Sequence, residues 1–287
     1  MKICICANLY REKTADIFPD VIRTLKLYGM TPLVESKFTG VCKAMNLSGI
    51  NFGEVEENAE ACDLFLTIGG DGTILRWGKK SAVYKKPLIG INTGRLGFMA
   101  TLERENLSKL SALAEGKYKV STRMMLDVTI TTELEKKHFP ALNDVVFFKG
   151  TTSKLPEYLV FSGGTEVSRV RADGLIISTP TGSTAYSLSA GGPIIDPKIQ
   201  CFEVTALSPH TLFNRPMLLS VDEPLRAEYI AYENSSVFVS VDGNESFPIS
   251  PDDSVTIKKS ELCLDLIDID GESFYSAVHS KLMKPLK

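Results

Sequence analysis

A glycine-rich turn with a single carboxylate lies near the start of the chain, in the stretch TIGGDGTIL. It follows the apolar run Leu64 to Ile68, which predicts a buried strand, and it leads into helical spacing from Thr73 to Tyr84. Glycines at such a turn let backbone N–H groups approach phosphate oxygens, and the N-terminus of the following helix favours anions. The turn therefore predicts a phosphate site.

Asp71 in that turn has the opposite charge preference. A carboxylate repels a phosphate unless a divalent metal lies between them or the acid takes a proton from an attacking hydroxyl. Asp71 therefore indicates either a divalent metal at this turn or a base that acts on a hydroxyl. The alternative is that Asp71 only caps the N-terminus of the helix.

A second glycine-bearing turn, Asn92-Thr93-Gly94-Arg95-Leu96-Gly97-Phe98, follows the next predicted strand, Pro87 to Ile91. In an open parallel sheet, ligands bind beyond the carboxyl ends of the strands, so both turns are expected at one edge. Phe98 could offer a flat apolar surface to a base, although a buried aromatic residue is the simpler interpretation.

The longest unusual segment begins with Arg171-Ala172-Asp173-Gly174 and continues through an apolar strand into the run from Ser178 to Pro193. Seven Ser or Thr hydroxyls and three glycines lie in that run. Neutral donors and acceptors of this kind suit ribose hydroxyls and amide edges, whereas an exposed polar loop is the alternative. Asn143-Asp144 could similarly bind a ribose diol, or simply form a turn.

Composition limits the remaining possibilities. The chain has 287 residues, 44% of them hydrophobic, with 32 Lys and Arg against 35 Asp and Glu, which gives a net charge of −3. This balance gives no basic excess typical of nucleic-acid binding, and we expect no nucleic-acid partner. No apolar run is long enough for a membrane span or a signal peptide. We therefore expect a cytoplasmic protein without a membrane partner.

Other catalytic motifs are missing from the sequence. There is no GxxxxGK[ST] and no GxSxG, and the six cysteines form no CxxC pair. The three histidines have no metal-ligand spacing. We assign no residue as a metal ligand.

The chain changes character near residue 117. Before it, short strands alternate with amphipathic helices, for example Ile17 to Tyr28, which predicts a parallel α/β sheet. Pro19 suits a first helical turn, Glu105 to Glu115 predicts a helix, and residues 36–53 look like a loop or insertion. After it, short β-rich segments predict an all-β sandwich or barrel, and Ser273 to Met283 has helical spacing again.

Taken as a set, these stretches resemble the bacterial-type NAD kinases. The resemblance rests on residues 69–73, 92–94, 96–98, 142–146, 173–192 and 241–243, which follow the family's order. It implies a Rossmann-like, phosphofructokinase-like α/β domain (1–117), a β-sandwich NAD-binding domain (118–270) and a C-terminal helix (271–287) that returns to the first domain. Asp144 departs from the pattern, because a longer glutamate usually stands there, and Glu245 adds negative charge beside Asn244.

The resemblance also implies the reaction. An NAD kinase is a phosphotransferase that moves the γ-phosphoryl group of ATP to the 2′-hydroxyl of the adenosine ribose of NAD, which gives NADP. Asp71 would be the general base, and a divalent metal ion, Mg²⁺ by expectation, would bind with ATP. A homodimer or homotetramer with a shared site is expected.

Site residues follow from the resemblance position by position. The matches to the ATP-phosphate loop are Gly69, Gly70, Gly72 and Thr73. The matches to NAD-binding positions are Asp71, Gly72, Phe98, Asn143, Asp144, Lys154, Arg171, Asp173, Thr181, Thr184, Ala185, Tyr186, Ser187, Leu188, Ser189, Ser208 and Asn244.

Two alternatives stay open. A lipid or sugar kinase could share the GGDGT turn, but it would not need the run from Thr181 to Ser189. A non-catalytic dinucleotide sensor could use the same scaffold, but a pure binder gains little from a carboxylate beside phosphates.

Overall fold

The computed structural model describes residues 1–94, 97–100, 102–151, 154–211, 214–232, 236–244, 246–269, 271, 274–279 and 282. The chain folds into two compact units. Residues 1–122 and the described residues from 264 onward form the first unit, and residues 123–263 form the second. Among the described residues, no helix is long and apolar enough to cross a membrane.

A parallel sheet with the strand order β3-β2-β1-β4-β5 forms the centre of the first unit. Its strands are β1 (Lys2–Ala7), β2 (Thr31–Glu35), β3 (Asn51–Gly53), β4 (Leu64–Ile68) and β5 (Leu88–Asn92), with β6 (Leu102–Glu103) beside β5. The helices are α1 (Glu12–Leu27), α2 (Thr39–Ala44), α3 (Val55–Ala61), α4 (Asp71–Val83) and α5 (Ser111–Ala114). Every residue of β4 and β5 is buried, as expected for parallel strands that are covered on both faces.

Helix α1 begins earlier than its apolar spacing predicted. It starts at Glu12, so Pro19 lies in the helix interior and not in the first turn. Proline removes one backbone donor and disfavours a helix interior. Phe18, Val21 and Leu25 are buried on the same face of the helix, and this packing maintains the helix through the proline.

Residues 36–53 are not an irregular loop, which corrects the sequence prediction. A 3₁₀ turn (Ser36–Phe38) leads into α2, and β3 then pairs in parallel with β2. Phe38 and Cys42 are buried four residues apart. These elements are shorter than the window over which hydrophobic periodicity can be detected.

The predicted helix from Glu105 to Glu115 is a 3₁₀ segment (Arg104–Leu110) followed by the single turn of α5. Its buried leucines Leu107, Leu110 and Leu113 recur every three residues. Spacing of three matches the 3₁₀ helix, which has three residues per turn.

Two sheets enclose one hydrophobic core in the second unit. The first sheet contains β7 (Lys119–Thr131), β8 (Lys136–Ala141), β10 (Glu157–Ser162), β11 (Thr165–Arg171), β15 (Leu225–Ile230) and β18 (Ser254–Asp268), of which β7 and β18 also reach into the first unit. The second sheet has the order β14-β13-β12-β9-β16-β17, and its strands are β9 (Asp144–Lys149), β12 (Gly174–Ser178), β13 (Phe202–Leu207), β14 (Met217–Leu219), β16 (Val237–Val241) and β17 (Ser246–Ile249). The predicted fold class, α/β followed by a β-sandwich, is confirmed.

Short helices complete the chain. A 3₁₀ turn (Gly182–Thr184) and α6 (Tyr186–Ser189) follow β12, and α7 (Phe274–Val278) lies near the C-terminus. The last strand, β18, ends in the first unit, where Leu266 pairs in parallel with Leu88 of β5. Most of the predicted C-terminal helix beyond α7 lies outside the described residues.

Candidate active site

The glycine turn connects β4 to α4 as the sequence indicates. Gly70 is the N-cap of α4, and Asp71 is the first helical residue, so Asp71 is not the helix cap. A Cβ at Gly69 would overlap the Thr73 side chain, whereas the space beside Gly70 and Gly72 is open. The N–H groups of Asp71 and Gly72 precede the first bonds of the helix, which Thr73 and Ile74 donate to the Gly70 carbonyl at 2.8 and 3.3 Å, so the open side of this turn can receive an anion.

The carboxylate of Asp71 binds the second glycine turn. Its Oδ2 accepts a hydrogen bond from the N–H of Phe98 at 2.7 Å. Its Oδ1 accepts from the N–H groups of Met99 and Ala100 at 3.1 and 3.4 Å. The structure therefore brings the two turns together at the carboxyl ends of β4 and β5, and half-buried Phe98 lies beside Asp71.

A cavity of about 800 Å³ opens beside the glycine turn within the first unit. It is large enough for a nucleotide. Four cations and two acids line it, namely Arg11, Lys13, Lys37, Arg76, Glu12 and Glu35. Lys37 is paired with Glu35 at 2.6 Å, so the lining has a positive excess that suits polyphosphate.

Aromatic rings form another part of the cavity wall. Tyr10, Phe38 and Trp77 line it, and the rings of Tyr10 and Phe38 lie 5.8 Å apart. Tyr10 is 77% exposed, so its ring has a face available for a base. Sequence reasoning missed these aromatic and basic residues. Their position just after strands of an α/β sheet, where such sheets bind ligands, could have identified them as candidate binding residues.

A second polar centre forms around Asn143 in the second unit. Asp242 is buried, and its carboxylate accepts hydrogen bonds from the N–H groups of Leu142, Asn143 and Asp144 at 2.9, 2.8 and 3.1 Å. The Thr179 hydroxyl donates to the carbonyl of Leu142 at 2.6 Å. Sequence reasoning gave Asp242 and Thr179 no role.

The amide oxygen of Asn143 is buried, and no group in the described part of the chain forms a hydrogen bond with it. A buried polar atom of this kind costs free energy unless a ligand or water satisfies it. A Cβ at Gly182 would overlap the backbone carbonyl of Asn143, so the glycine permits the two segments to pack closely. Asp144, the first residue of β9, is 5% exposed.

Buried Glu203 fixes the hydroxyl-rich run. The hydroxyls of Ser178 and Ser187 donate to its carboxylate at 2.7 and 2.6 Å, and the Thr205 hydroxyl donates at 3.1 Å. The Ser187 hydroxyl therefore points into the protein. In contrast, Tyr186 is 48% exposed and can reach a ligand.

The remaining residues of this run differ in exposure. Thr181 is buried, and its carbonyl accepts a hydrogen bond from the Thr184 hydroxyl at 3.1 Å. Ala185 and Leu188 are half-buried, and Ser189 is exposed. The run thus presents a mixture of backbone and small side chains on a fixed support.

A third group of predicted residues lies at the other end of β12. Asp173 precedes that strand and pairs with Lys149 at 2.8 Å, and Arg171 donates to the Tyr232 hydroxyl at 2.6 Å. Ser208 follows Leu207, whose Cα lies opposite Gly174. Burial raises the pKa of the Tyr158 phenol, so its hydroxyl stays protonated and donates to the Asp173 carbonyl at 3.4 Å.

The two groups in the second unit are therefore separated along β12. Gly174 pairs with Phe148 at one end of β12, and Ser178 pairs with Asp144 at the other end. Gly174 and Ser178 are four residues apart, which corresponds to roughly 13 Å along a strand. Lys154, Ser208 and Asn244 are exposed, and the Asn244 amide donates to the Val241 carbonyl at 3.0 Å. Glu245, expected beside Asn244, lies outside the described residues.

Comparison with known proteins gives one consistent family. The model for the ATP-NAD kinase N-terminal domain matches residues 3–118, and the model for the ATP-NAD kinase C-terminal domain matches residues 142–269. The NAD kinase of Symbiobacterium thermophilum is 37% identical over 92% of both chains. The NAD kinase of Chlorobium phaeobacteroides is 35% identical over 99% of this chain and 97% of that protein.

Solved structures share the fold. A yeast NADH kinase complexed with NADH superposes with a TM-score of 0.86 at 22% identity and covers 100% of this chain and 89% of that chain. An NAD kinase from Archaeoglobus fulgidus in complex with ATP gives a TM-score of 0.71 at 24% identity over 99% of both chains.

Proposed function

The chain belongs to the NAD kinase family, and from this membership we propose which of its residues carry the reaction. The enzyme transfers the γ-phosphoryl group of ATP to the 2′-hydroxyl of the adenosine ribose of NAD and so forms NADP. The comparisons favour neither a lipid or sugar kinase nor a non-catalytic sensor.

ATP binds in the cavity beside the glycine turn in this proposal. The backbone N–H groups at Gly70 and Gly72 and the first turn of α4 receive the phosphates. Arg11, Lys13 and Arg76 line the same cavity and add positive charge, and the aromatic wall receives the base. The open space beside Gly70 and Gly72 supports this placement, since any larger residue would occupy it.

The phosphate chain brings its own metal ion in this proposal. Within the described ranges no three His, Cys, Asp or Glu side chains are grouped so as to hold a metal. Mg²⁺ binds mainly through phosphates, water and one or two carboxylates, so this donor set fits a metal that arrives with the phosphates of ATP. When bound, Mg²⁺ offsets the charge of the transferring phosphoryl group.

Asp71 acts as general base on the 2′-hydroxyl. One observation carries this role: Asp71 lies at the phosphate turn, yet its carboxylate oxygen Oδ2 accepts a single hydrogen bond from the described part of the chain. A carboxylate oxygen has two lone pairs, so Oδ2 can also accept the ribose proton. The loop that anchors Asp71 carries Phe98, which would border the adenine.

NAD is bound by the second unit in this proposal. Oδ1 of Asn143, which no described group satisfies, accepts a hydrogen bond from the nucleoside, and Asp144 binds the nucleoside beside it. Tyr186 and the backbone of Thr181, Thr184, Ala185, Leu188 and Ser189 form the dinucleotide surface, with Ser187 as an internal support. NAD is also contacted by the remaining residues that match NAD-binding positions of the family, which are Lys154, Arg171, Asp173, Ser208 and Asn244.

Mg²⁺ and both substrates are expected to be required for turnover. NADP formation from NAD and ATP, read by a dehydrogenase that accepts only NADP, should stop after EDTA treatment and return with Mg²⁺. Omitting NAD serves as the control for a contaminating NADP source. Full activity in EDTA would contradict the metal requirement, and no NADP under any condition would contradict the substrate assignment.

We further propose a homodimer or homotetramer in which two subunits share each site. Asp173 and Asn143 lie at opposite ends of β12, so the second unit presents two separate binding surfaces that can serve different sites of an oligomer. The cytoplasm is the proposed location, since the five buried cysteines are free thiols, as in a reducing compartment.

Subunit mixing tests the shared site. An Asp71→Asn protein and an Asp173→Ala protein should each lose most activity, and subunit exchange between them should restore a fraction of it, because hybrid oligomers contain sites with neither substitution. Two Asp71→Asn samples mixed in the same way are the control. No recovery after exchange that is verified by native mass spectrometry would contradict sharing.

A further inference from the structure

The loop from Gly97 to Ala100, here called the anchor loop, holds the Asp71 carboxylate by backbone groups alone. Phe98, Met99 and Ala100 each donate an N–H to it. Side-chain rotation would otherwise let an aspartate at the start of a helix sample several rotamers. Three donors from one short segment hold both carboxylate oxygens.

Gly97 makes this anchoring possible. A Cβ built on Gly97 would overlap the carboxylate of Asp71, with both oxygens and the carboxyl carbon among its nearest atoms. The carboxylate thus fills the space that any other residue type would need. The backbone φ of Gly97 is not positive. Glycine is therefore needed at this position for space and not for backbone freedom.

We propose that Gly97 and the N–H groups of the anchor loop are positioning groups that orient Asp71 as the base of phosphoryl transfer. This inference rests on the proposed role of Asp71. Oδ1 takes two of the three hydrogen bonds, which leaves Oδ2 with a lone pair for the substrate. Because the same loop carries Phe98, the position of the base is tied to the residue that borders the adenine.

Gly97→Ala is the direct test. A misplacement of about 1 Å at a reacting group can lower the rate by about 10²-fold, so kcat should fall by about that factor. The Kd values for NAD and ATP, measured by calorimetry, should stay within about threefold, because the other residues proposed to bind each ligand are left in place. Gly40→Ala is the matched control, since its added Cβ meets nothing within 4 Å, and it should retain wild-type kcat.

A double variant separates positioning from a general structural effect. If Gly97 acts through Asp71, the loss in Asp71→Asn/Gly97→Ala should equal the loss in Asp71→Asn alone, because residues that act as a unit are not additive. If the loss of kcat in the double variant instead equals the product of the two single losses, the proposal is overturned. Unchanged kcat in Gly97→Ala would also overturn it, whereas high activity in Asp71→Asn would refute the proposed base itself.

Hydrogen exchange gives a test that does not depend on a folded Gly97→Ala protein. In Asp71→Ala, the amides of Phe98 and Met99 should exchange at least tenfold faster than in the wild type, while amides of β4 keep their protection. Unchanged exchange at Phe98 and Met99 would show that the carboxylate does not anchor the loop.

Discussion

Replacement of Asp71 by asparagine is expected to lower kcat for NADP formation by about 10²–10⁴-fold, the contribution of a positioned general base. A secondary ribose hydroxyl is a poor nucleophile at neutral pH, so its proton must leave as the new bond forms. Asparagine has nearly the same shape but cannot accept that proton. It can keep part of the anchor-loop hydrogen bonding, because its amide oxygen is an acceptor.

The measurement is single-turnover NADP formation with saturating NAD, ATP and Mg²⁺, combined with NAD binding by calorimetry. Asp71→Asn should fold, bind NAD and turn over slowly. Asp20→Asn is the control, because Asp20 is an exposed carboxylate of the same unit that pairs with Arg23 and Arg104. Substantial turnover in Asp71→Asn would mean that Asp71 only anchors the loop.

Replacement of Asp242 by alanine is expected to cost about 3 kcal/mol or more in the free energy of unfolding, since it leaves three backbone N–H groups without their acceptor. Asp242 also has a φ of 52°, a conformation that aspartate and asparagine tolerate better than alanine. The loss of these hydrogen bonds displaces Asn143, so KM for NAD should rise by at least tenfold while KM for ATP stays unchanged.

Asp242→Asn gives a graded comparison. It keeps one acceptor oxygen and the tolerance for positive φ, so both effects should be smaller than in Asp242→Ala. Asp222→Ala is the control, because Asp222 is an exposed carboxylate that accepts from Ser220, and it should change the unfolding free energy by no more than about 0.5 kcal/mol. Urea unfolding and initial-rate kinetics provide the measurements. Equal KM values for NAD in Asp242→Ala and the wild type would contradict the role of Asp242.

Local features of the fold and site could be predicted from the sequence. The strand, turn and helix around Asp71 follow from apolar runs and glycines that are contiguous in the chain. The meeting of the two glycine turns follows from the rule that parallel strands end at one edge of a sheet. The change to an all-β unit follows from composition and strand length alone.

Long-range partners could not be predicted in the same way. Arg11 and Lys13 line the same cavity as the phosphate turn because β1 lies beside β4, and a single sequence does not specify strand order. Ser187 matches an NAD-binding position of the family, and its hydroxyl donates to Glu203, sixteen residues away. Asp242 is ninety-nine residues from Asn143, and no local pattern indicates that contact.

The segments that converge on Asn143 also constrain how this site can form during folding. Leu142 and Thr179 are hydrogen-bonded although they are thirty-seven residues apart in the sequence. Asn143 and Asp242 are separated even more widely in the sequence, so the contact order of the nucleoside site is high. Contacts of this kind form late and slowly, and a nascent chain gains the site only after Asp242 has been synthesised. NAD that binds there should stabilise the folded β-sandwich, because the site is absent from the unfolded chain. At a free NAD concentration of about one hundred times Kd, this stabilisation is about 2.7 kcal/mol.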